Sequence, residues 1–279
     1  MSGEKNNPFE KVYGSIKDVN AYLDRIGFEE KAIPSLDCLK KLMHCHLMAV
    51  PFENLDVFHG HKEPSLNVDD MFEKIVIKRR GGYCFELNGL FSKLLEAVGF
   101  SVSSSMARIR FGRSFVSPRA HRVIVVKTAD KSYFCDVGFG GPVPLEPIEI
   151  VYDNVIESKG GRKYKFFCEE WGTTLLIEKD GEFVPVLTFD SIPCDEADFI
   201  PLNAFCAYSV YEPFRKKQIL WKLTENGRSS IDGDILRISG NDGTSEFRLI
   251  TDDELRVVLE KYFGIVYKGK LRDWNCSSK

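Results

Sequence analysis

Apolar positions in the first hundred residues recur at helical spacing. Val19, Tyr22, Leu23 and Ile26 share one face behind Asp18; Leu36, Leu39, Leu42, Met43, His46, Leu47 and Val50 share another behind Ser35 and stop at Pro51. A third run starts near Asn67, with Val68, Met71, Phe72 and Ile75 inward, and a fourth joins Leu87, Leu90, Phe91, Leu94, Leu95 and Val98 until Gly99. From Ser101 the period shortens. Residues 173–178 and 183–189 alternate around turn signals at 158–161 and 179–182, which predicts an antiparallel meander closing toward a barrel. A third region starts near Pro201, with a strand over 218–224, an Asn226-Gly227 turn, further strands to Ile250, and a helix whose Thr251 and Glu254 fit a capping box. The pattern predicts an α+β chain in three domains: a helical bundle over 1–100, a central antiparallel β-barrel over 101–200 and an α/β lid over 201–279.

The fourth helical run opens on a cysteine preceded by two glycines, in Arg80-Gly81-Gly82-Tyr83-Cys84-Phe85-Glu86-Leu87-Asn88. Glycines let the backbone turn sharply and approach a ligand closely. In the first turn of a helix, unpaired N–H groups and the positive end of the dipole favour thiolate over thiol, which is the nucleophilic form. The alternative is a buried structural cysteine. His121 begins the strand-like run His121-Arg122-Val123-Ile124-Val125-Val126, and Tyr133-Phe134-Cys135-Asp136-Val137 returns after a polar turn. Antiparallel pairing about Thr128 or Ala129 puts position 121 opposite 136 to 138, so imidazole and carboxylate come within cross-strand reach. Cys84, His121 and Asp136 then have the parts of a thiol triad: nucleophile, proton carrier and orienting carboxylate. An ordinary strand histidine and an aspartate capping a glycine turn is the other reading.

Three stretches, in order and spacing, resemble the arylamine N-acetyltransferase family: Val50-Pro51-Phe52-Glu53-Asn54-Leu55, the run around Cys84, and Asp136-Val137-Gly138-Phe139-Gly140-Gly141 with His121 fifteen residues earlier. The resemblance covers about residues 10 to 265. It implies a Cys-His-Asp triad on a cysteine-protease-like (transglutaminase-like) core, acetyl-coenzyme A as acetyl donor, and aromatic amines or hydrazines as acceptors. It further implies coenzyme contacts at Gly138, Phe139, Gly140, Gly141 and Phe214, where glycine N–H groups suit a pyrophosphate. Aromatic walls for the acceptor fall on Phe52, Phe139 and Phe205, which core packing would explain equally. One stretch departs from the family: where many relatives have a Thr-His-Pro-x-Ser-x-Phe type segment, this chain has Tyr208-Ser209-Val210-Tyr211-Glu212-Pro213-Phe214. If Glu212 points inward, its charge opposes an anionic cofactor.

The remaining chemistry is read as support or solvated surface. Glu53 and Arg80 look like an ion pair tying the Phe52 segment to the Cys84 loop, and Asn88 lies one helical turn beyond the thiol. His44-Cys45-His46 is not expected to bind metal, because adjacent helical residues point apart and His46 falls on the apolar face. His59 and His61 are expected in solvent, and Lys78-Arg79-Arg80 at a solvated helix end. The balance of 38 basic against 41 acidic residues, net charge -3, suggests neither a nucleic-acid nor a membrane partner. Eight irregularly spaced cysteines and a polar residue 1–7 segment are expected of a cytoplasmic chain with reduced thiols, a monomer or homodimer working on small molecules. A cysteine hydrolase and a non-catalytic binding relative are the rival readings.

Overall fold

The computed structural model describes residue 7 and residues 9–271. Most of the polar start and the tail from residue 272, with Cys276, lie outside them. Five helices form the first region: α1 (Val19–Ile26), α2 (Leu36–Ala49), α3 (Leu55–Phe58), α4 (Val68–Phe72) and α5 (Cys84–Val98). The expected caps are in place. Asp18 accepts a hydrogen bond from the Ala21 N–H and Ser35 from the Cys38 N–H, while Gly99 closes α5 with φ 105°. α5 packs on α1, α4 and the barrel, so Leu87, Leu90, Phe91, Leu94 and Leu95 are wholly buried, each contributing roughly 1.5–3 kcal/mol.

Strand β1 (Phe52–Glu53) precedes α3 in the chain, and strands β2 (Ser101–Ile109), β3 (His121–Lys127), β4 (Ser132–Cys135), β5 (Ile148–Glu149), β6 (Val155–Glu157), β7 (Lys163–Glu169), β8 (Gly172–Lys179) and β9 (Glu182–Phe189) follow α5. Strands β2 to β9 make one antiparallel sheet in the order β5-β4-β3-β2-β9-β8-β7-β6, curved around a core in which Phe134, Phe166 and Phe189 meet edge to face or tilted. The predicted hairpin is β3–β4, with Ile124 opposite Cys135 and Lys127 opposite Ser132.

Helix α6 (Phe199–Tyr208) opens the third region, where the sequence pattern assigned no element before the strand over 218–224. Its residues are apolar on every side, so no 3.6-residue stripe betrays it; such a helix belongs between packed layers. Strands β10 (Ile219–Thr224), β11 (Gly227–Asp232), β12 (Ile235–Gly240) and β13 (Gly243–Arg248) form a second antiparallel sheet. Its far edge is β1, with Phe52 opposite Trp221 and Glu53 opposite Leu220. Helix α7 (Asp252–Val258) begins at the Thr251–Glu254 capping box and covers this sheet with Leu255, beside Leu259 and Phe263 of the turn that follows. Among the described residues no helix is long and apolar enough to cross a membrane.

His46 has no metal partners; among the described residues no group of His, Cys, Asp and Glu is arranged to hold an ion. It is fully buried, with Nδ1 3.0 Å from the Tyr22 hydroxyl and its ring 5.1 Å from that of Phe91. Burial first, and then the nearby Arg25 charge, push its pKa from 6.5 down to about 3. The folded state therefore excludes a proton that the unfolded chain takes up below pH 6.5. Stability tied to this site is present above pH 6.5 and lost as pH falls toward 3, up to roughly 5 kcal/mol. His46→Gln should flatten the fall of the urea midpoint between pH 7 and pH 4.5. Parallel curves for wild type and variant would show that acid stability is decided elsewhere.

Candidate active site

The loop before Cys84 is held by its own chain. A Cβ at Gly81 would strike the Pro51 carbonyl, so the first glycine permits close approach of backbone to backbone, not of backbone to ligand. The Glu53 N–H donates to the Gly82 carbonyl at 2.9 Å, which lays β1 beside the loop. Under this junction lies a buried charge network. Arg80 bonds Glu53 at 2.6 Å and Asp56 at 3.0 Å, and Lys74 reaches Asp56 at 2.7 Å and Glu86 at 2.8 Å. The Glu53–Arg80 pair was expected from the sequence; Lys74, Asp56 and Glu86 were not. Arg80 is thus not at a solvated helix end, although Lys78 and Arg79 are exposed. His59 is also not in solvent: it is buried, with Nε2 3.0 Å from Gln218 Oε1, while His61 is exposed.

Cys84 is the first residue of α5, only 3% exposed, and lines the same cavity as His121, which feels its charge. His121 opens β3 and is equally buried. Its Nε2 donates to Asp136 Oδ2 at 2.7 Å, which leaves Nδ1 for the sulfur. Asp136 sits just past the end of β4, one diagonal step along the hairpin from His121, as its register requires. Its other oxygen, Oδ1, accepts from Asn88 Nδ2 and from the Gly138 N–H, both at 2.9 Å. Asn88 Oδ1 in turn accepts from the Val137 N–H at 2.9 Å. Burial penalises the imidazolium, but the Asp136 carboxylate and Cys84 outweigh it and raise His121 from 6.5 to about 10.

One cavity of about 610 Å³ opens on this group. Phe52, Gly138, Phe139, Gly140, Gly141 and Phe214 line it together with Cys84 and His121. Phe205 does not; it lies half-buried against the helical core. The glycine run is shaped by packing. A Cβ at Gly138 would lie 2.8 Å from Cys84 Cα, and one at Gly140 would meet the Trp221 indole. The Gly138 N–H is already committed to Asp136, so it is not free for a phosphate. Sequence reasoning missed Trp221, Arg113, Arg228 and Arg237 on the walls. Trp221 lies on the strand that pairs with Phe52.

Comparison with known proteins adds the family. A sequence model described as N-acetyltransferase matches residues 35–272. The arylamine N-acetyltransferase of Escherichia coli is 30% identical over 250 residues, covering 88% of each chain. The chain belongs to the arylamine N-acetyltransferase family. The solved arylamine N-acetyltransferase of M. smegmatis superposes with a TM-score of 0.82 at 29% identity, over 90% of this chain and 93% of that one. The arylamine N-acetyltransferase of Mycobacterium marinum, solved in complex with CoA, does so with a TM-score of 0.81 at 27% identity, over 89% and 93%. Membership of the arylamine N-acetyltransferases makes this chain an acyltransferase that acetylates arylamines, and gives it their α+β fold.

Proposed function

We propose that this arylamine N-acetyltransferase works by a ping-pong route through acetyl-Cys84, with acetyl-coenzyme A as donor. The observation that carries the reading is the buried relay Cys84–His121–Asp136 on the floor of the cavity, with 2.7 Å between Nε2 and Oδ2. Cys84 gives its proton to His121 Nδ1, and the sulfur attacks the acetyl carbonyl carbon. The backbone N–H of Cys84, with no intrahelical acceptor at the helix start, suits the oxyanion. As the carbon–sulfur bond to coenzyme A breaks, His121 returns the proton to the departing thiolate. Neutral His121 then takes a proton from the amine as it attacks acetyl-Cys84, and the Cys84 thiolate leaves. Asp136 keeps the Nε2–H in place and stabilises the charged ring.

The cavity suits both substrates. Arg113, Arg228 and Arg237 offer positive charge to the coenzyme phosphates, and the N–H groups of Gly140 and Gly141 are nearer candidates than that of Gly138. Phe52, Phe139 and Phe214 supply flat apolar surface for an aryl ring. The division of labour follows the three regions bounded near residues 100 and 200: nucleophile, base with its orienting carboxylate, and a cover that limits hydrolysis of the thioester. All seven described cysteines are free thiols, and we place the reaction in the cytoplasm, where Cys84 stays reduced.

Mixing the enzyme with acetyl-coenzyme A alone should release about one equivalent of coenzyme A in a burst and add one acetyl group at Cys84, read by intact mass and peptide mapping. An arylamine should then discharge it, and Cys84→Ala should do neither. Steady coenzyme A release without amine would make the chain a hydrolase. Release only in the presence of amine, with no acetyl-enzyme trapped, would replace ping-pong by direct transfer.

A further inference from the structure

Glu212 is a carboxylate on the wall of the Cys84 cavity, and it is only 6% exposed. Its backbone is anchored two residues on, where Asn54 Nδ2 donates to the carbonyls of Phe214 and Lys217, each at 2.9 Å. The residue precedes the turn Pro213–Arg215 but its side chain does not cap it. Among the described residues this carboxylate makes no hydrogen bond and no ion pair. No Glu212 oxygen is among the fully buried polar atoms that lack a partner, so the carboxylate meets the cavity and is open to a hydrogen-bond donor on a ligand there. Burial raises the Glu212 pKa and Arg113 opposes that rise. Cys84 and Glu212 line the same cavity. The other acid on the wall, Asp232, is paired with Lys217 at 2.5 Å.

We propose that Glu212 determines acceptor specificity, by binding a cationic group that the arylamine carries away from its reacting nitrogen. The inference rests on the acetyl-Cys84 reading and names the acceptor class for that site. The reacting aryl nitrogen is neutral at pH 7, whereas an aminoalkyl or amidine substituent is charged and offers several N–H donors to a carboxylate. A carboxylate substituent on the same ring would face an uncompensated like charge. Acceptors with a positive substituent are therefore favoured over those with a negative one. The phosphates of the coenzyme go to the arginines and not to this wall.

The test compares 4-aminobenzylamine with 4-aminobenzoate as acceptors for the full chain at pH 7, under saturating acetyl-coenzyme A. Wild type should show a higher kcat/KM for the cationic acceptor. Glu212→Gln, which keeps the shape, and Glu212→Ser should each shrink that ratio about tenfold or more, as loss of a charge-assisted hydrogen bond implies. Glu212→Asp, which keeps the charge on a shorter stem, should retain most of the wild-type preference, and a ratio as low as that of Glu212→Gln would overturn the assignment. An unmoved ratio, or a changed KM for acetyl-coenzyme A at constant ratio, would overturn the assignment. Intact mass separates the two levels. Acetyl-Cys84 with an unmoved ratio sinks the Glu212 inference alone; absence of acetyl-Cys84 in wild type sinks both.

Discussion

Asp136→Asn should lower kcat/KM for acetyl transfer by roughly 10⁴ while the protein stays folded. The surroundings of Asp136 determine how an amide would sit. Two donors, Asn88 Nδ2 and the Gly138 N–H, converge on Oδ1, so the amide oxygen of the variant must face them. Its NH₂ is then turned to His121 Nε2, where an oxygen had been accepting at 2.7 Å. A donor facing Nε2 moves the imidazole proton to Nδ1, and that nitrogen can no longer take the proton of Cys84. The variant should melt near wild type, label slowly at Cys84 with iodoacetamide, and show no acetyl-enzyme burst. Turnover within a few fold of wild type would remove Asp136 from the mechanism.

Lys74→Met should destabilise the fold by about 3–5 kcal/mol, because it strands buried carboxylates without a counter-charge. The Glu53 and Glu86 side chains are 0% and 2% exposed, and Lys74 lies 3.7 Å from the first and 2.8 Å from the second. Arg80 would still serve Glu53, but Glu86 would keep only the Tyr83 N–H at 3.1 Å. Burial already raises Glu86 from 4.5 to about 7, against the pull of Lys74; without the lysine it would rise further. Thermal melting should fall by roughly 10 °C for a chain of this size. Adding Glu86→Gln should restore part of the loss, since the double variant no longer buries that lone charge. A double variant as unstable as the single one would mean that packing of the lysine stem, not its charge, is what matters.

What the sequence made legible was whatever local chemistry controls. Capping residues and apolar spacing placed four helices, and turn residues with alternation placed the hairpin that joins His121 to Asp136. Where the deciding partner is remote, the sequence was silent or misleading. His59 read as a surface residue because nothing nearby announces Gln218 as its partner, and Arg80, paired with Glu53 from the sequence, was not given its second partner Asp56. α6 has no polar face to reveal its period, and Phe205 on it, given to the acceptor pocket by resemblance, packs against the helical core instead. The inward aim of Glu212 could be posed only as a condition, because a seven-residue stretch does not say which side of it meets the cavity.

The two-residue strand β1 has a further consequence, for the order in which the molecule is made. β1 lies against the Cys84 loop on one side and pairs on the other with β10, which begins at Ile219. A nascent chain stopped at Phe189 already contains Cys84, His121 and Asp136, yet Phe52 and Glu53 have no strand to pair with. Closure of that long loop comes late, as non-local pairing does. The wall that Phe214 and Trp221 give the cavity is therefore completed only by chain that follows Phe189, and a product that ends there carries Cys84 without that wall.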